Sequence, residues 1–237
     1  MKVVTWNCNG ALRNKFQNLM EFEADIYIIQ ECEKPEQTQH KEYIKWAKNH
    51  LWVGSNKNKG LGIFAAEHLK IESLGWSNIF TDHTVKHFLP CTVNDGFQLL
   101  GVWTHRNNSP NFGYIGQLWK YLQVNKQHFR KVIIAGDFNS NSIWDQWDRW
   151  WNHSDVVREL KELGISSLYH KFLEEEHGKE SKPTFFLHRN TLKPYHIDYV
   201  FGSREFENSL IKIEVGDSEQ WLKISDHLPL ICEFERY

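Results

Sequence analysis

Apolar residues in this chain come in short runs that stop abruptly on polar ones. Lys2 to Trp6 is rich in β-branched residues and ends on the turn-prone Asn7, Asn9 and Gly10, which predicts a strand delivering its C-terminal end to a loop. Leu12, Phe16 and Leu19 recur at helical spacing, and Asp25 to Gln30 repeats the first pattern, with Ile26, Ile28 and Ile29 ending on Gln30 and Glu31. A helix is predicted over Glu42 to His50. Strands follow near Gly60 to Ala66, Thr84 to Val93 and Phe97 to Thr104, with Asn94, Asp95 and Gly96 as a hairpin turn that makes this middle section antiparallel. Gly116 to Phe129 reads as helix and Lys131 to Ala135 as strand, ending in the polar loop Gly136-Asp137-Phe138-Asn139. Ser154 is expected to cap a helix that Gly164 closes. Four more strand-like segments complete the chain: Thr184 to Leu187, Ile197 to Phe201, Ile211 to Val215 and Leu228 to Phe234. Many strands interleaved with a few helices suggest an α/β fold of two packed mixed sheets with helices on their outer faces. No internal repeat or linker divides residues 1–237, so one domain is expected.

Composition narrows the class. At 41% hydrophobic and 14% aromatic, the 237 residues can bury a large core. A formal charge of −2 gives none of the global basic excess of many nucleic-acid binders, though it leaves room for a local basic groove. Cys8, Cys32, Cys91 and Cys232 are scattered without a C-x-x-C pair, which fits free thiols in a reducing compartment. The N-terminus enters a strand pattern and not a signal-peptide core, and no apolar run approaches the ~18 residues of a membrane span. A cytoplasmic location and no membrane contact are therefore expected.

The candidate chemistry lies at five strand ends: Asn7 with Asn9, Glu31, His105, Asp137 with Asn139, and Asp226 with His227. Taken singly, each has a plain structural reading, since Asn and Asp favour turns by bonding their own backbone and Glu31 could be a solvated strand end. Their conjunction points elsewhere, because polar groups on strand-end loops are what a rigid scaffold presents to a ligand.

The sequence resembles the endonuclease/exonuclease/phosphatase superfamily. The resemblance rests on Thr5-Trp6-Asn7-Cys8-Asn9-Gly10, Gln30-Glu31, Thr104-His105, Gly136-Asp137-Phe138-Asn139, His196-Ile197-Asp198-Tyr199-Val200 and Ser225-Asp226-His227-Leu228-Pro229, in family order across nearly the whole chain. It implies a four-layer α/β/β/α sandwich of two mixed, largely antiparallel sheets, one active site at the strand ends, and a magnesium or manganese ion. By the same resemblance Asp137 orients or deprotonates the attacking water, and Asn139 and Asn7 position water and phosphate oxygens. The residue types also make sense by themselves. A phosphodiester is anionic, so its hydrolysis needs a cation for the developing charge and a group to activate water. Glu31 is the first-choice hard-oxygen ligand, with Asn9 and Asp226 as further ligands or holders of metal-bound water. His227 is expected to face the phosphate with Asp198 orienting its ring and favouring its charged form. His196 could lie nearby, but a structural role is the stronger reading. His105 is a candidate general acid or phosphate binder whose carboxylate partner spacing does not reveal; Glu67 is a guess.

Substrate is less legible. The Thr104-His105 block is similar to that of pancreatic-type deoxyribonucleases, tyrosyl-DNA phosphodiesterases, deadenylases and bacterial sphingomyelinases, whereas abasic-site endonucleases of the exonuclease III type usually have tyrosine in the corresponding region. The compact length and the helix ending before Gly164 resemble the short bacterial nucleases. A nuclease acting on nucleic acid, DNA first, is the leading expectation. Arg106 beside His105, together with Lys57, Lys59, Lys182, Arg189 and Lys193, could contact phosphates, against the reading of a charge-balanced surface. Trp144, Trp147, Trp150 and Trp151 offer stacking or wedging groups, although the helical spacing of three of them favours a buried face. A lipid or inositol-phosphate phosphoesterase is the alternative. A catalytically inactive binding module is disfavoured, since Glu31, Asp137 and His227 are all retained.

Overall fold

A computed structural model describes residues 1–107, 109 and 111–235. The chain opens with β1 (Lys2–Asn7), β2 (Ile26–Cys32), β3 (His50–Asn56) and β4 (Lys59–Ala65). After β5 (Ile71–Ser73) comes a two-residue ribbon, β6 (Ile79–Phe80) with β7 (His83–Thr84). Then follow β8 (Phe88–Val93), β9 (Phe97–Trp103), β10 (Val132–Asp137) and β11 (Ile165–Ser167). A second ribbon, β12 (Phe185–Phe186) with β13 (Pro194–Tyr195), precedes β14 (Asp198–Ser203), β15 (Leu210–Val215) and β16 (Leu230–Phe234).

The long strands form two six-stranded sheets, ordered β15-β16-β1-β2-β4-β3 and β11-β14-β10-β9-β8-β5. Both follow one plan: a central parallel pair, β1 with β2 and β10 with β9, flanked by antiparallel strands. Alternation along the central strands explains the stacking. Val3, Ile28 and Ile133 enter the core shared by the two sheets, while Val4 and Ile29 face outward on one side and Ile134 on the other. Helices cover both outer faces. Phe16 and Leu19 of α1 (Phe16–Met20) and Tyr43 of α2 (Lys41–Trp46) pack on the first sheet. Leu118 and Leu122 of α3 (Ile115–Asn125) and Val156 and Leu160 of α4 (His153–Glu162) pack on the second. The expected α/β/β/α sandwich is therefore present. Burial on both faces is why the central strands read as continuous apolar runs and not as strict alternation.

Several local expectations differ. The helix expected over 42–50 stops at Trp46, and His50 already begins β3, whose half-buried residues carry little alternation. Asn152, not Ser154, is the cap of α4: its side chain and that of Asp155 reciprocally bond the first-turn backbone, and Gly164 closes the helix at φ 74°. The Trp-rich segment is no amphipathic helix. After a single 3-10 turn at Ser142–Trp144 it runs irregularly, leaving Trp147 96% and Trp150 61% exposed while Trp151 alone is buried, against Phe112.

Candidate active site

The sheet plan gathers the chemistry. Parallel strands end at the same edge, and their antiparallel neighbours begin there. Asn7 and Glu31 at the ends of β1 and β2, His227 ahead of β16, Asp137 and Thr104 at the ends of β10 and β9, and Asp198 at the start of β14 thus share one rim of the sandwich.

The two sheets are joined there by side chains. Asn7 Nδ2, from the first sheet, donates to Asp137 Oδ2 of the second at 2.9 Å. Asn139 donates its backbone N–H to Asp137 Oδ1 at 2.8 Å and its Nδ2 to Asp137 Oδ2 at 2.9 Å. The loop after β1 uses the same turn, with the Asn9 N–H on Asn7 Oδ1 at 3.0 Å. Asn9 and Asn139 both sit at positive φ, 51° and 45°, which asparagine tolerates. Opposite Asp137, His227 holds its Nδ1 2.9 Å from Asp198 Oδ2 and its Nε2 4.0 Å from Asp137 Oδ2. Phe185 packs on the His227 ring, Trp6 Nε1 donates to its carbonyl, and Ser225 Oγ accepts its N–H.

These charges are out of water, so their balance matters. Burial pushes the Asp137 carboxyl up to about 7, with nearby Asp198 adding to the rise and His227, Asn7 and Asn139 opposing it. Burial alone would lower His227, but Asp198 and Asp137 beside it raise it to about 9. An imidazolium between two carboxylates is the result. Asp137, Asp198 and His227 lie close enough for their ligand atoms to hold a metal ion, all within 4.8 Å of one another. His227 is itself the cation there, which leaves the Glu31 rim as the better seat for a hard divalent ion.

That rim fits such an ion. Glu31 stands at φ 62° with its carboxylate partly exposed, and Lys59 Nζ lies on it at 2.7 Å, so the position already draws a cation. The rim offers hard oxygen donors: the Glu31 carboxylate, and the Asn9 amide and Asp226 carboxylate, which are joined by Asn9 Nδ2 donating to Asp226 Oδ1 at 3.0 Å. One or two carboxylates with remaining places for water and substrate phosphate is a magnesium-type arrangement.

The histidine after β9 has different company from that expected. His105 Nε2 meets His87 Nδ1, and its Nδ1 accepts the Asn107 N–H at 3.1 Å. Glu67 is not its partner: it is exposed and pairs with Lys48 at 3.6 Å. Burial lowers His105, with Lys86 assisting and Glu31 opposing, and among the described residues no carboxylate is hydrogen-bonded to its ring. Beside it opens a cleft of about 520 Å³ lined by Thr84, Asn107, Phe112, Gln117 and Lys120. Arg106, between His105 and Asn107 in the chain, is exposed. Lys57, Lys182, Arg189 and Lys193 are exposed as well; Arg189 donates to the Lys223 carbonyl at 3.4 Å. His196 is structural, its Nδ1 donating to the Lys182 carbonyl at 2.8 Å.

Sequence reasoning missed the supports. Thr184 Oγ1 accepts the N–H groups of Ile197 and Asp198, both at 3.1 Å, and fixes where Asp198 begins its strand. Glu33 is buried and accepts the N–H groups of Leu12 and Arg13 at 2.8 Å, clamping the loop after β1. Neither carries a local pattern, because each acts on backbone distant in sequence.

The chain belongs to the endonuclease/exonuclease/phosphatase family, whose model matches residues 4–227. No curated protein matches it. Among solved structures, an AP endonuclease from Archaeoglobus fulgidus has a TM-score of 0.75 at 19% identity, covering 100% of both chains. A 3′ phosphatase, NExo, from Neisseria bound to a product DNA hairpin has 0.71 at 19%, again covering 100% of both. The Xenopus laevis APE2 catalytic domain has 0.69 at 17%, covering 99% of this chain and 92% of its own. At such identity these likenesses establish the sandwich, and the family establishes a phosphoesterase scaffold of a typically metal-dependent kind.

Proposed function

We propose that this protein is a magnesium- or manganese-dependent phosphodiesterase that hydrolyses DNA, using water activated by Asp137. The observation that carries the reading is the buried Asp137 carboxylate, held at both oxygens by Asn7 and Asn139 and facing His227 across 4.0 Å. A carboxylate raised toward 7 is a stronger base than a solvated one, and fixing both its oxygens aims the remaining lone pairs. His227, kept charged by Asp198, binds a phosphate oxygen and stabilises charge on the phosphorane-like transition state. Glu31, Asn9 and Asp226 would hold the divalent ion, which would supply Lewis-acid charge neutralisation at the phosphate. His105 has both ring nitrogens engaged, Nε2 with His87 and Nδ1 as acceptor of the Asn107 N–H, so its part is to shape the rim beside the phosphate site. Arg106 contacts a neighbouring phosphate.

DNA is favoured over lipid by two features. The Neisseria enzyme of the same fold is bound to a DNA hairpin, and the Trp144, Trp147 and Trp150 side chains stand exposed beyond the Asp137 loop, where flat aromatic faces can stack on bases or wedge into a groove. The test is cleavage of labelled duplex DNA, single-stranded DNA, abasic-site duplex, RNA and a sphingomyelin analogue with magnesium or manganese, each beside an Asp137→Asn control. DNA cleavage lost in the control is expected. Turnover of the lipid analogue with none of the nucleic acids would replace the substrate assignment, and full activity of Asp137→Asn would overturn the mechanism.

A further inference from the structure

The cleft beside His105 holds a cation without a counter-ion. Lys120, on α3, lines it and is 6% exposed. Among the described residues its ammonium has no hydrogen bond or ion pair and meets two aromatic rings instead, with Nζ 4.7 Å from the centre of Phe112 and 6.0 Å from that of Phe80. Trp151 stacks on Phe112 at 4.1 Å and 26°, so the far face of that ring is already covered. Burial lowers Lys120 from its usual value, and Asp82 opposes this only in part. Asp82 is exposed and otherwise engaged, its Oδ1 accepting from Thr81 Oγ1 at 3.1 Å and lying 3.3 Å from His83 Nε2.

The rest of the cleft suits an anion. None of its described lining residues is a carboxylate, and Thr81, Thr84 and Ser109 add hydroxyl groups. Asn107 Nδ2 bridges the Thr84 carbonyl at 3.0 Å and Gln117 Oε1 at 2.9 Å, while Gln117 Nε2 donates to the Phe112 carbonyl. These amides hold the walls together and leave Lys120 as the charge facing the space. A buried ammonium with only ring faces for company is poorly compensated, and a phosphate oxygen would give it a charge-assisted hydrogen bond. The chain ties this cleft to the Asp137 loop. Asn139 Nδ2 donates to the Thr104 carbonyl at 2.9 Å, and the Asn107 N–H bonds His105 Nδ1 at 3.1 Å. From Thr104 to Asn107 the backbone reaches at most about 10 Å, the rise of roughly three nucleotides of one strand.

We propose that this cleft is a phosphate subsite in which the Lys120 ammonium binds a phosphate group of the substrate strand a few nucleotides from the scissile bond. The inference rests on the DNA reading for the source of that phosphate; the chemistry itself, a phosphate oxygen on Lys120, would serve a free phosphate as well. Occupied by a strand, the cleft gives the enzyme a grip on a polymer that a single small phosphodiester cannot reach. Its contribution is to affinity and to the register of the strand, since Lys120 lies on α3 and away from the strand ends that carry Asp137 and His227.

The test uses the full chain carrying Asp137→Asn, so that binding is read without turnover. Lys120→Met keeps an apolar stem against Phe112 and removes the charge, and Lys120→Arg keeps the charge. Fluorescence anisotropy of a labelled DNA duplex over a salt series is expected to show binding weakened about tenfold by Lys120→Met, with the slope of log K against log salt flattened by about 0.9, the loss of one phosphate contact. Lys120→Arg should retain the parent slope. Unchanged affinity and slope in Lys120→Met would overturn the subsite. Weaker binding at an unchanged slope would assign Lys120 to packing and overturn it too. If the duplex does not bind the Asp137→Asn protein at any salt, the DNA reading fails, and thermal unfolding in inorganic phosphate at constant ionic strength decides the subsite. A phosphate-induced rise in Tm that shrinks in Lys120→Met would then keep the site with free phosphate as its ligand, and equal rises would remove it.

Discussion

The buried His227–Asp198 pair makes a quantitative prediction for Asp198→Asn, a change that keeps shape and removes one charge. The native pair holds the His227 pKa near 9 against an ordinary 6.5, and Asp198 is the larger of the two charges responsible. With the carboxylate gone, burial is opposed only by Asp137 and the more distant Asp226, and the pKa returns toward 6.5. At pH 8 the charged fraction then falls from roughly nine-tenths to a few per cent, whereas at pH 6 both proteins keep most of theirs. The ratio of variant to native kcat should therefore drop by about 20-fold between pH 6 and pH 8, on top of any constant loss from poorer ring orientation. Stability follows the same group. A raised histidine pKa stabilises the fold fully below 6.5 and loses that contribution as pH rises through 9; the ~2.5-unit difference corresponds to about 3 kcal/mol. Native Tm should thus decline across that window and the variant's should be flatter. The assay is a pH series of steady-state cleavage and of thermal melts on both proteins. An alkaline limb at the same pH in both would refute the idea that Asp198 acts by keeping His227 charged.

Four other outcomes are expected. Glu31→Gln should raise the magnesium concentration needed for half-maximal cleavage by tenfold or more, as roughly expected for halving a carboxylate-based site, and an unchanged magnesium titration would move the ion away from the Glu31 rim. Asn7→Asp sets a second carboxylate about 2.9 Å from Asp137 Oδ2, so the acid limb of the pH profile should climb above 7; a limb left in place would show that the amide does not touch the base. Gly136→Ala should cost more than about 3 kcal/mol of unfolding free energy, because at φ 150° the added Cβ would meet the Val102 carbonyl oxygen at 1.8 Å, and a chemical denaturation midpoint near the native one would contradict this packing. Trp147→Ala, at a 96% exposed position, should leave Tm unchanged and raise KM for DNA several-fold, and an unaltered KM would remove Trp147 from the substrate path.

What the sequence made legible follows from locality. The central strands announce themselves because both faces are buried, and Val3-Val4, Ile28-Ile29 and Ile133-Ile134 must each serve an inner and an outer core. Their polar ends were readable for the same reason: a run of apolar residues stops where the rim begins, leaving Asn7, Glu31 and Asp137 in plain view. Contacts made across the sandwich have no such local trace. His87 lies 18 residues before its neighbour His105, and Glu33, Thr184 and Ser225 act on backbone that only folding brings near. The tryptophans carry helical spacing without forming a helix. Asp145 instead accepts the N–H groups of His153 and Ser154, at 2.9 and 3.1 Å, so the preceding residues stay irregular and α4 starts later.

The paired plan of the sheets also explains why the base is where it is. Asn7-Cys8-Asn9 and Asp137-Phe138-Asn139 end equivalent central strands, β1 and β10, with the same turn and the same positive-φ asparagine two residues on. Besides the buried Cys8 and Phe138, the two loops differ in their first residue, an amide in one sheet and a carboxylate in the other, and that difference lets Asn7 donate to Asp137 where the sheets meet. Two carboxylates there would repel in a site sealed from water, and two amides would supply no base. Near-symmetry therefore provides the geometry, and its breaking at the Asn7 and Asp137 positions provides the proton acceptor. The same comparison places the remaining asymmetry at the neighbouring strands. β16 brings His227 to the amide side and β14 brings Asp198 to the carboxylate side, so the cation that balances Asp137 arrives from the opposite sheet. Docking of the two sheets is then a condition for charge balance at the base, and loosening the sandwich should disturb catalysis before it unfolds the chain.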